Sequence, residues 1–73
     1  MLKQYAIYEN PKDYPNKFVV RVWEIHEDKP EPVAGDLVII EDTLEAARSC
    51  LPPGLTNISR FSGDDPVIRE VWI

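Results

Sequence analysis

Seventy-three residues, 44% of them hydrophobic, make one folding unit, 1–73, near the smallest size at which a single core offsets chain entropy without staples. The formal charge of −5, from 13 acidic and 8 basic residues, disfavours nucleic acid and anionic lipid as partners, because both depend on a local basic field. A single cysteine rules out a disulfide framework, and a single histidine beside it leaves no ligand set for structural zinc, so no metal or cofactor is implied.

The opening MLKQYAIYENP has no apolar run of the length a secretory signal or membrane span needs, and the expected compartment is the cytosol. Residues 2 to 8 (LKQYAIY) and 18 to 25 (FVVRVWEI) are rich in aromatic and β-branched side chains and are predicted to pair as a long hairpin. The connecting ENPKDYPNK suits a bend. Proline fixes φ and removes a ladder donor, while Asn and Asp bond their own backbone in turns. It also suits a recognition loop, with Tyr14 as its aromatic anchor.

Residues 26 to 36 (HEDKPEPVAGD) read as a polar connection, and LVII at 37 to 40 as a short central or well-covered strand. EDTLEAARSCLPPG then changes period: Leu44, Ala47, Cys50 and Leu51 fall on one helical face. Asp42 or Thr43 can cap this helix, Asp42 and Glu45 have capping-box spacing, and Pro52-Pro53-Gly54 stops it after about two and a half turns. Residues 55 to 61 (LTNISRF) alternate weakly and 66 to 73 (PVIREVWI) are strand-like, with a turn at 62 to 66, so a second hairpin is expected. A right-handed crossover after the helix sets the last strand parallel to the third or beside the first. The fold class is α+β: a mainly antiparallel sheet of four to five strands with one short helix packed on one face.

Strand alternation separates two surfaces. Phe18, Val20 and Val22 share the better core side, and Val19, Arg21, Trp23 and Ile25 the other; on the last strand Val67, Arg69, Val71 and Ile73 oppose Ile68, Glu70 and Trp72. One short helix covers one face of such a sheet. The second face is therefore expected to stay partly apolar, with Trp23 or Trp72, Tyr5 or Tyr8, and Arg21 or Arg69 close together. Three readings suit it: arginine stems and rings that simply cover the sheet, a homodimer interface, or a surface for a different protein.

Catalytic groups are sparse. His26 lies in EIHEDKP beside Glu27 and Asp28, where a lone histidine is usually solvated; an enzyme using it is the least favoured reading. Cys50, on the apolar side of the helix, is expected to be a buried, inert thiol. Glu41, Asp42 and Glu45 suit the positive end of a helix, and Asp64-Asp65 suits a turn better than a cation loop.

With NPKDYPNKFVVRVW, DTLEAARSCLPPGL and GDDPVIREVWI on the page, nearly the whole chain resembles a group of very short bacterial proteins of unassigned function. In that group an N-P-x-D-Y-P-x-x-F-V-V-R stretch precedes a short helix ending in L-P-P-G-L and a closing D-D-P-V-I-x-E-V-W segment. The resemblance implies a stand-alone bacterial domain and transfers no site.

The expected function is a small cytosolic interaction or accessory module without catalytic activity. Its binding residues are Arg21 and Trp23, with Tyr14, Arg69 and Trp72. The alternative is a self-associating, homodimeric structural domain. The expected partner is a protein or a second copy.

Overall fold

A computed structural model describes residues 2–58 and 67–73. Four strands and one helix follow in the order β1 (Leu2–Glu9), β2 (Phe18–Ile25), β3 (Val33–Glu41), α1 (Leu44–Ser49) and β4 (Ile68–Trp72). The strands form one antiparallel sheet of order β3-β2-β1-β4. This is the α+β architecture expected, and the last strand lies beside the first.

The long hairpin forms in full register, from Leu2 opposite Ile25 to Glu9 opposite Phe18. Its loop is closed by backbone bonds from Asn10 N–H to Lys17 O (2.8 Å) and from Tyr14 N–H to Pro11 O (3.1 Å). Asn10 and Asn16 take positive φ (53° and 63°), a region that Asn tolerates better than most residues, and the Asn10 side chain accepts from Asn16 N–H at 2.7 Å.

The core lies on one side of the sheet. Tyr5, Ile7, Val20 and Val22 pack with Ala47 of the helix, joined by Phe18, Ile39, Leu44, Leu51, Leu55 and Trp72. Ile7 and Val20, directly opposite each other, are fully enclosed. Phe18, Val20 and Val22 thus face inward, as their alternation indicates.

The helix is shorter than expected, six residues in place of about two and a half turns. Thr43 caps it, its Oγ1 accepting from Ala46 N–H at 3.1 Å, while Asp42 is drawn away into an ion pair with Lys17. Cys50 N–H and Leu51 N–H reach back only three residues, to Ala47 O and Arg48 O, so the turn tightens before the prolines. That early termination carries Cys50 off the apolar face. It is exposed at the C-cap and not buried, its thiol donating to Glu41 Oε2 at 3.3 Å.

The run 37 to 40, expected to be central or well covered, belongs instead to an edge strand nine residues long. Alternation and apolarity do not distinguish a covered strand from an edge strand, since position in the sheet depends on the other strands. Near the start of β3 the register to β2 shifts between Arg21 and Trp23. There Gly35 approaches Val22 so closely that a Cβ would stand 2.6 Å from Val22 Cγ1, so a larger residue has to displace that buried side chain.

Among the described residues, 56 to 58 of the expected fifth strand pair with the outer edge of β4. Asn57 bridges Trp72, Thr56 and Ile73 exchange backbone bonds, and Ile58 N–H donates to Val71 O at 2.9 Å. The rest of the predicted strand, 59 to 61, and the turn at 62 to 66 lie outside the described residues.

Candidate functional site

The face away from the helix is built from the other set of alternating residues. Across the ladder Gln4 meets Trp23, Ala6 meets Arg21 and Val71, Tyr8 meets Val19 and Ile68, and Arg21 meets Val38. No helix among the described residues covers this side, yet Ala6, Val19 and Val71 are almost wholly shielded.

Larger side chains close over them. Trp23 Nε1–H donates to the Tyr8 hydroxyl at 3.3 Å, spanning the row occupied by the small Ala6. The Arg21 guanidinium lies 5.8 Å from the centroid of the Tyr8 ring, within cation–π range, and also binds Asp13 of the hairpin loop. Pro11 is buried, so the loop is both the bend between two strands and a wall of this face.

The Tyr8–Trp23 pair forms a ridge between two clefts. One, of about 320 Å³, is lined by Gln4, Ala6, Trp23, Glu31, Pro32, Ile68 and Val71. The other, of about 560 Å³, is lined by Pro11, Lys12, Asp13, Arg21 and Val67 with the same two aromatic rings. The first is mainly apolar with an amide and a carboxylate; the second carries two cationic side chains and one acid. Two polar tips held over an apolar floor give such a surface direction as well as area.

The five candidate residues divide. Arg21 and Trp23 meet on the open face. Trp72 lies on the helix side, packed against the core, its Nε1–H donating to Glu70 Oε1 at 3.0 Å. Arg69 occupies the register shift between β1 and β4 and pairs at 3.7 Å with Glu9 at the sheet margin. Tyr14 is half-buried in the hairpin loop and lines neither cleft. Alternation keeps Arg69 with Val71, but the extra residue of a bulge re-aims it.

Sequence reasoning missed Gln4, Glu31 and Pro32 as lining residues. The first is an ordinary polar strand residue, and the other two come from a loop whose path only the tertiary fold decides.

On the helix side the notable polar group is Glu70, 7% exposed. Arg48 grips it with two bonds, Nε to Oε1 at 2.9 Å and Nη2 to Oε2, and these, followed by the Trp72 bond, hold its carboxyl below the usual range against the opposing effect of burial. The same pair raises Arg48. Glu41, hydrogen-bonded to the Cys50 thiol, raises the thiol and keeps it protonated, which is the opposite of nucleophile activation. His26 Nε2 lies 3.1 Å from Glu24 Oε1, half-buried at the end of β2. Among the described residues no three His, Cys, Asp or Glu side chains are grouped to hold a metal ion, and no helix is long and apolar enough to cross a membrane. The chain matches no family model, no curated protein and no solved structure.

Proposed function

We propose that the protein is a small, non-catalytic protein-binding module of the cytosol that recognises its partner through the open sheet face around Trp23 and Arg21. The observation that carries this reading is the Tyr8–Trp23–Arg21 assembly: two hydrogen-bonded aromatic rings and a guanidinium raised over an apolar floor between two clefts. Trp, Tyr and Arg are the residues that supply most binding energy at protein interfaces.

The clefts indicate the kind of segment that fits. An apolar or aromatic side chain fills the first, and a neighbouring carboxylate is drawn to Lys12 and Arg21 across the second. Arg21 is already oriented by Asp13, so less side-chain entropy is lost on binding. A sparsely soluble ligand is not required, because the rim is polar.

The test uses the tryptophan itself. In a Trp72→Phe background, Trp23 is the only indole, and peptides selected from a display library against the wild-type protein should shift its emission on binding. Arg21→Ala should weaken that binding by about tenfold or more, the effect of losing an interfacial anchor worth about 1–2 kcal/mol. Selected binders that leave Trp23 emission unchanged and tolerate Arg21→Ala would move the binding surface elsewhere.

A further inference from the structure

The two clefts beside the Tyr8–Trp23 ridge differ in charge. Lys12 and Arg21 line the second together with Asp13, which pairs with Arg21. In the first, Glu31 is the one charged residue of the lining, and no cation stands beside it. The loop that brings it there turns where Lys29 N–H donates to His26 O at 3.2 Å, and it enters β3 at Val33. Among the described residues Glu31 has neither an ion pair nor a hydrogen-bond partner.

The rest of the first cleft suits the body of a long side chain. Ala6 and Val71 are almost wholly shielded and, with Ile68 and Pro32, make the cleft apolar. Trp23 and Tyr8 wall it with two rings, tied together by the 3.3 Å bond from the indole to the hydroxyl. Aromatic rings attract cations through the negative charge over their faces, tryptophan most strongly. The molecule already uses Tyr8 in this way, with the Arg21 guanidinium 5.8 Å from its centroid on the side of the second cleft. Asp13 offsets the Arg21 charge, which weakens its repulsion of a second cation across the ridge.

The function proposed above puts an apolar side chain in the first cleft. Lysine and arginine carry such a body in their methylenes, and each ends in a charge that stays close to water. A neutral side chain leaves Glu31 without a partner, whereas a basic one meets both the carboxylate and the rings. The net charge of −5 also draws basic segments from a distance.

Resting on that reading, we infer that the first cleft seats a lysine or arginine side chain of the partner protein, its methylenes on the Ala6–Val71 floor and its cation between Glu31 and the Trp23 ring. With a carboxylate in the second cleft, the partner segment carries opposite charges on the two sides of the ridge. The face then fixes the direction in which the segment lies.

The probe is N-acetyl-arginine amide, with N-acetyl-citrulline amide as the neutral compound of the same shape. Each is titrated into the wild-type chain to about 100 mM at constant ionic strength, a range suited to a ligand of few atoms, and followed on the Trp23 indole N–H signal in nitrogen-15 NMR. The arginine compound should bind at least about threefold tighter, the size expected of a cation–π contact and an ion pair open to water. Glu31→Gln, at an exposed position, should lower that preference by about half or more while leaving the rest of the spectrum unchanged. Equal binding of the two compounds, no movement of the Trp23 signal with either, or an undiminished preference in Glu31→Gln overturns the inference. Peptides selected by display separate it from the broader reading. Binders that shift Trp23 emission yet carry no lysine or arginine keep the open face and overturn the basic side chain, whereas binders that leave Trp23 unmoved overturn the face itself.

Discussion

Glu70 is the residue at which charge and burial oppose each other most directly. Its carboxylate is nearly enclosed, and Arg48 and Trp72 together satisfy it. Because its folded pKa lies below the ordinary value of 4.5, its contribution to stability is complete above that value and is lost as the pH falls through the lowered one. Urea denaturation should therefore show a falling midpoint as the pH drops below about 4.5. Glu70→Gln should be less stable than the wild type at pH 7 yet lose less on acidification, so the two midpoints converge as the pH falls. Parallel loss in both proteins would assign acid sensitivity to other carboxylates. The residue types and the strand position of Glu70 are plain in the sequence, but alternation puts it only on a side shared with Ile68 and Trp72. Its partner, 22 residues upstream on the helix, is a product of docking.

At the scale of elements, local signals carried the hairpin and the helix start. Pro, Asn and Asp between two β-rich runs place a bend, and Asn10 and Asn16 supply the two left-handed residues it uses. The helix is only six residues, too short to persist by propensity, so its cap and its packing hold it. Thr43→Ala removes the acceptor for Ala46 N–H and should cost about 1 kcal/mol, read as a lower urea midpoint with an unchanged slope. Asp42→Ala, by contrast, should leave the midpoint nearly unchanged, since Asp42 serves an exposed ion pair with Lys17. Of the two caps the sequence offers, Asp42 and Thr43, the structure uses Thr43 and not the residue with capping-box spacing to Glu45. Glu41 remains in β3, paired with Phe18, and the Asp42 carboxylate is engaged by Lys17, which leaves Thr43 as the cap.

For the molecule as a whole, one layer of helix on one side of a four-stranded sheet leaves a small core. Ile7 and Val20 lie at its centre. Ile7→Ala should cost about 2–5 kcal/mol, a large share of the total of roughly 4–11 kcal/mol expected for a chain of this length at about 0.05–0.15 kcal/mol per residue. Equilibrium unfolding in urea measures it. Ala6, buried beneath Tyr8 and Trp23 on the other face, shows that the open side also has a floor, made by rings and a guanidinium in place of a helix.

The sequence by itself indicated four to five strands with one helix, the inward side of β2 and the sharing of its other side by Arg21 and Trp23, while leaving open which tryptophan, tyrosine and arginine gather on the open face. These are properties of period and residue type, which act over a few neighbours. Tertiary structure decided the rest: that β3 is an edge, that Trp72 joins the core while Arg69 turns to the margin, that Cys50 emerges into solvent, and that Pro11 and Pro32 wall two clefts. Each of these depends on which strand docks against which, and on bulges that change register by a residue. Such choices are made by contacts between parts of the chain far apart in sequence, where period carries no information.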